Sequence, residues 1–150
     1  MVTGSLYADQ QRLADRTGAL MSAKISGLPA PQVIAGYAVA AQPADGIVLD
    51  IGCGRGASAL ALAQALPAAR VCAVDASAAL LAATRDRPRA RGLPVHTISA
   101  DFHQLPLPTG RTSLAVAAFC LYHSPTPRTV LREIARCLAP GGGSSWWSAS

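Results

Sequence analysis

Hydrophobic periodicity changes once along this chain. Over residues 5–24, Leu6, Leu13, Leu20 and Met21 fall on one helical face. The stretch SGLPAP (26–31) breaks that pattern, and a second helix is expected from Pro31 to Ala41, since proline suits a first helical turn. QPADG (42–46) reads as a turn. From there, short apolar runs alternate with helical segments. GIVLDI (46–51), Val71–Asp75, LPVHTISAD (93–101) and TSLAVAAFCL (112–121) read as strands. The intervening helices run through Leu66, over ASAALLAATRDR (76–87) with Ser77 as N-cap, and over PTPRTVLREIARCL (125–138). In the last, Val130, Leu131, Ile134, Ala135 and Leu138 share one face, and APGGG closes it.

Strands that alternate with helices and are themselves continuously apolar predict an α/β fold. The sheet should be doubly wound, mostly parallel and covered on both faces. The expected organisation is an N-terminal helical region (1–42), a core (43–143) and an atypical tail (144–150).

Composition narrows the function classes. With 51% hydrophobic and 14% charged residues in 150, the chain suits one globular domain with a large core. The net charge is +5, and 12 of the 13 basic residues are Arg, Lys24 being the exception. The densest basic stretch holds Arg85, Arg87, Arg89 and Arg91. It has no interleaved aromatics and falls where a helix should end, so it reads as a solvated helix terminus and not a nucleic-acid stripe. Cys53, Cys72, Cys120 and Cys137 form no CxxC pair and have no His at metal-ligand spacing. They are expected to be free thiols of a cytoplasmic protein that holds no metal. No secretory signal or membrane span is expected, since the N-terminal residues lack a basic start followed by an apolar run and no apolar run reaches about 18 residues.

The candidate chemistry sits where the first strand meets its helix. Gly52, Gly54 and Gly56 surround Cys53 and Arg55, leaving a bare backbone that a ligand can approach closely. Gly52, Gly54 and Ala57 satisfy the dinucleotide fingerprint G-x-G-x-x-G/A. Gly52, Gly54 and Gly56 satisfy G-x-G-x-G as well, with Asp50 just before them. A pyrophosphate at a helix N-terminus disfavours a neighbouring carboxylate, whereas a ligand with an ammonium and a sulfonium favours one. Asp75, ending the second strand, suits the ribose of either ligand. Asp101, ending the third strand, can accept from an adenine amino group, with Phe102 beside it to cover the ring. A NAD(P)-type oxidoreductase domain therefore stands as the alternative on these residues alone.

The motifs VLDIGCGRG, VCAVDAS, ADFHQLPLPTG and LAVAAFCLYHSP…EIARCLAPGG, spanning about residues 47–142, resemble those of class I S-adenosylmethionine-dependent methyltransferases. That resemblance implies a Rossmann-like core that binds S-adenosyl-L-methionine and methylates a small-molecule acceptor. It implies that Gly52 and Gly54 approach the methionine part and that Asp50 supports their loop. It places Asp75 and Ala76 at the ribose, Asp101 and Phe102 at adenine, and Phe119 and Cys120 near the sulfonium. N-terminal helices would cap the cofactor, with Tyr7, Lys24 and Tyr37 as candidates. His123 is the candidate general base; His96 and His103 rank below it, being without an evident partner. After LAPGGG the family continues with an apolar fifth strand, a helix and two further strands. SSWWSAS does not resemble such a strand, so the C-terminal strands are expected to be missing, leaving a cofactor-binding module with little or no turnover.

Overall fold

Four of the apolar runs become parallel strands: β1 (Ile47–Ile51), β2 (Arg70–Asp75), β3 (Val95–Ser99) and β4 (Thr112–Val116), side by side in the order β3-β2-β1-β4. The structure, a computed structural model, describes residues 29–41, 46–52, 55–117 and 121–140. Helices α1 (Ala30–Ala40), α2 (Ala57–Ala65), α3 (Ala78–Ala90) and α4 (Pro127–Cys137) complete the α/β arrangement. Val48, Leu49, Asp50 and Ile51 stand beside Val71, Cys72, Ala73 and Val74 of β2. On the other side, Val48, Leu49 and Asp50 stand beside Leu114, Ala115 and Val116 of β4, after a register shift between Ile47 and Val48.

Because successive strand residues face opposite ways, the sheet divides its apolar residues between two cores. Val48, Val71, Ala73, Leu114 and Val116 pack with Ile34 and Ala38 of α1, Ala59 and Leu62 of α2, and Leu81 of α3. Leu49, Ile51, Val74 and Ala115 face the other way, against Leu105, Leu121 and the Val130, Ile134 and Cys137 of α4. Both faces are thus covered, as continuous apolar strands require. Asp50 and Asp75 follow the parity of Val48 and Val71, and so share the first face.

Several boundaries depart from the sequence reading. α3 runs past Arg87, through the buried Pro88, to Ala90; proline is tolerated in this last turn because its ring is packed and the turn tightens into i→i+3 bonds from Arg91 and Gly92. The strand β3 is an edge strand and only partly buried, with His96 exposed. On α4, Ala135 is exposed and Cys137 takes the expected core place. The Cys72 and Cys137 thiols are buried and free, and burial pushes both up from the usual thiol range, which suppresses thiolate formation. The expected helix over 5–24, Tyr7, Lys24, Cys53, Gly54, Phe119, Cys120 and the tail lie outside the described residues.

The β3–β4 connection carries no helix and is held by side chains of α4. Arg136 donates to the carbonyls of Leu105 (3.1 Å) and Leu107 (3.0 Å) and to Thr109 Oγ1 (3.0 Å). Glu133 accepts from Arg136 at 2.6 and 3.0 Å and from the Leu105 N–H at 2.9 Å. The Arg136 side chain holds the Glu133 carboxyl below its usual range, so this clasp weakens only as pH falls through the acid region. We expect Arg136→Ala to lower the melting temperature and Arg136→Lys to recover only part of it, since an ammonium cannot reproduce the fork that spans both carbonyls. Equal melting temperatures for wild type and Arg136→Ala would contradict that assignment. Past α4, Leu138 forms a parallel bridge with Thr112, and the Ala139 N–H donates to the Thr112 carbonyl at 2.8 Å, on the side of β4 away from β1.

Candidate functional site

The chain leaves β1 toward β2 and β3, then returns to place β4 on the other flank of β1. Strand order therefore reverses at β1, and the crevice beyond the carboxyl ends of β1 and β4 is where open α/β sheets bind ligands. The glycine loop stands there. Gly52 has φ of 66°, a left-handed conformation that favours glycine, and its N–H donates to the Val74 carbonyl at 2.8 Å, fixing the start of the loop to β2.

Gly56 serves a different purpose. Its φ is 84°, and a Cβ built on it would lie 2.7 Å from Thr84 Cα of α3 and 2.9 Å from the Thr84 methyl and hydroxyl. The third glycine of the motif thus lets the start of α2 approach α3, a packing role. Sequence spacing alone could not separate these roles.

Asp50, next to last in β1, is 2% exposed, and its Oδ2 has no hydrogen-bond partner among the described residues. Burial first, and then the neighbouring Asp75, push its carboxyl up to about 7. A buried polar atom without a partner is unusual enough to require an explanation, and a missing donor is the simplest. Asp75 ends β2 half-buried, and its Oδ1 accepts the Ser77 N–H at 2.9 Å. Ser77 Oγ in turn accepts the Leu80 N–H at 3.3 Å, so the expected N-cap of α3 is present. Asp75 therefore shapes the β2–α3 turn from the carboxyl end of β2. Ala76, between the two, is exposed.

Asp101 lies beyond β3 with its side chain 68% exposed. Its Oδ1 accepts the His103 backbone N–H at 2.8 Å and bonds the ring Nδ1 at 2.5 Å. The backbone N–H, then the ring, hold this carboxyl below the usual carboxylate range. Phe102 is half-buried against the second core and stacks on the His103 ring, centroids 4.8 Å apart. His103 Nε2 lies 2.6 Å from Ser124 Oγ. His123, exposed, ends the short 3-10 turn Leu121–His123 that follows β4. Sequence reasoning ranked His103 below His123 for want of a partner; the structure supplies two. The local signal was Asp-x-His, a spacing at which an Asp side chain bonds the backbone two residues on. Among the described residues no group of three His, Cys, Asp or Glu side chains could hold a metal ion.

These features fit S-adenosylmethionine better than a dinucleotide. The buried Asp50 oxygen calls for a donor or a cation near the glycine loop, where a pyrophosphate would add negative charge to a site already holding two carboxylates. Acids at the ends of β2 and β3 add acceptors for hydroxyl and amino donors.

Residues 48–142 match the model of a methyltransferase domain family. The chain is 37% identical over 95 residues to the demethylmenaquinone methyltransferase of Thermus thermophilus, covering 63% of this chain and 43% of that protein. Among solved structures, the [4+2]-cyclase SpnF is similar at 30% identity and a TM-score of 0.64, covering 73% of this chain and 43% of that one. The geranyl diphosphate C-methyltransferase of Streptomyces coelicolor, solved with S-adenosyl-L-homocysteine, shares the fold at 22% identity and a TM-score of 0.64, covering 72% and 42%. The chain spans less than half the length of each of these proteins. With the family model matching well over half the chain, and the sheet order and glycine loop in agreement, this protein belongs to the class I S-adenosylmethionine-dependent methyltransferase family.

Proposed function

We propose that this chain binds S-adenosylmethionine in the crevice beyond β1 and supports methyl transfer to a small organic acceptor. The observation that carries the reading is the partnerless buried oxygen of Asp50 beside the left-handed Gly52. When bound, the cofactor supplies a methyl group already activated on a sulfonium. The chain's own work is then to hold and orient. Gly52 and Gly54 admit the methionine part, and Asp50 faces its positive charge. Asp75, with Ala76, takes the ribose, Asp101 and Phe102 take the adenine, and Phe119 and Cys120 line the crevice. His123 is the candidate proton acceptor for an acceptor that loses a proton. Alignment of acceptor and methyl group would supply most of the rate gain, because a held pair reacts without the entropy loss of an encounter.

The name of the Thermus relative, a demethylmenaquinone methyltransferase, supports a small-molecule acceptor. The absence of a basic stripe with aromatics argues against nucleic acid. Among the described residues no helix is long and apolar enough to cross a membrane, and the reading includes a cytoplasmic location for the two buried thiols. Similarity to a cyclase favours one second reading, in which the bound cofactor organises a site that turns over without methyl transfer. Incubation with methyl-labelled S-adenosylmethionine and a panel of quinols, phenols and carboxylic acids separates the two. Label in an organic product, lost in Asp75→Ala, supports transfer. Cofactor binding without label in any product supports the second reading.

A further inference from the structure

Asp101, His103 and Ser124 form a chain of hydrogen bonds that links the loop after β3 to the segment after β4, 21 residues further on. A carboxylate only accepts, so His103 Nδ1 carries the proton that meets Asp101 Oδ1. Ser124 Oγ accepts the Thr126 N–H at 3.0 Å, which leaves the serine hydroxyl proton to point at His103 Nε2. The same three residue types perform nucleophilic catalysis when the hydroxyl is open to a substrate. Here Ser124 is 9% exposed and its oxygen is engaged by Thr126, so the array is built as a strut.

We propose that His103 is a positioning residue for the cofactor: anchored by Ser124 and stacked on Phe102, it fixes the exposed Asp101 carboxylate in the one orientation that presents Oδ2 to the adenine amino group. This rests on the reading of Asp101 as the adenine acceptor. The physical need is plain. A carboxylate that is 68% exposed samples several rotamers unless something holds it. The two bonds from His103 both fall on Oδ1, so they fix the carboxylate plane and leave Oδ2 available to a ligand. The ring in turn cannot swing, because Phe102 covers one face and Ser124 meets its far nitrogen. Preorganisation of this kind raises affinity by removing the ordering loss from the binding step. The strut also ties the adenine loop to the residue next to His123.

Isosteres of the two ring nitrogens test it. Asparagine places an amide nitrogen where Nδ1 stands and cannot reach Ser124; glutamine places one near Nε2 and cannot serve Asp101. Affinity for S-adenosylhomocysteine is measured by calorimetry on the full chain, with circular dichroism and melting curves for each variant. His103→Ala and His103→Gln are expected to weaken binding by about three- to tenfold, and His103→Asn to recover most of it. Ser124→Ala should weaken binding in the wild-type background and add nothing in His103→Ala. Glutamine equal to asparagine, or additive Ser124 and His103 effects, would overturn the strut, as would labelling of Ser124 by a serine-directed fluorophosphonate. Unchanged affinity in Asp101→Ala would remove the adenine reading itself; weakened affinity in Asp101→Ala with unchanged affinity in His103→Ala would leave that reading standing and overturn only the inference.

Discussion

Gly56→Ala destabilises the protein by about 2–5 kcal/mol, combining the strain of a non-glycine residue at positive φ with overpacking against a helix. Both terms are visible locally. The φ of 84° disfavours any Cβ, and the Cβ would meet Thr84 Cα at 2.7 Å, a backbone atom that cannot rotate away. Relief requires α2 and α3 to part, which disturbs Leu62 and Leu81 in the first core. Chemical denaturation of the two proteins measures the difference. A loss under about 0.5 kcal/mol would show that α3 yields easily and that the third glycine has another purpose.

Asp50→Asn has the opposite effect on the cofactor-free protein, and a large one on binding. The raised carboxyl means that the folded protein keeps a proton which the unfolded chain releases. Stability from this group is therefore greatest at low pH, falls as pH rises from about 4 to about 7, and is flat above. Ionising the buried group costs on the order of 4 kcal/mol, from a shift of about three pH units. Asparagine cannot ionise, so the variant is expected to lose this slope. At pH 8 it should be more stable than wild type by about 1–3 kcal/mol, less than the full penalty because its amide N–H groups need partners of their own. Affinity for S-adenosylmethionine should fall at least about tenfold, since a charged acceptor for the ligand is gone. Urea melts at pH 5 and pH 8 decide the first part. An identical pH slope in both proteins would mean that Asp50 has a donor in the folded state. Loss of the slope in Asp50→Asn would show instead that the wild-type carboxylate costs the empty fold stability.

Much of this site was legible because its parts are local to strand ends. The apolar runs located β1, β2 and β4, and Asp50 near the end of β1, Asp75 at the end of β2 and Asp101 just beyond β3 follow from the strand positions. The Ser77 cap was legible too, since it depends on residues three positions apart. What escaped depends on contacts distant in sequence. The role of Gly56 is set by Thr84, on another helix. The bond from His103 to Ser124 crosses 21 residues, so only the Asp101 half of that array had a local spacing to announce it. On α4, helical periodicity admitted either Ala135 or Cys137 to the core, and the direction of approach to the sheet chose Cys137. Pro88 stayed helical because its ring is buried, a fact that local propensity does not carry.

On this reading, the acids at the ends of β1 and β2 and beyond β3, with the glycine loop, form a site for S-adenosylmethionine. The direct measurement is calorimetric titration of the full chain with S-adenosylmethionine, S-adenosylhomocysteine and NAD, repeated near pH 6.5 in buffers of different ionisation enthalpy. The first two are expected to bind and NAD is not, with protons released as the bound ligand's positive charge ionises Asp50. NAD binding tighter than S-adenosylmethionine, or S-adenosylmethionine binding with no proton released, would contradict that reading.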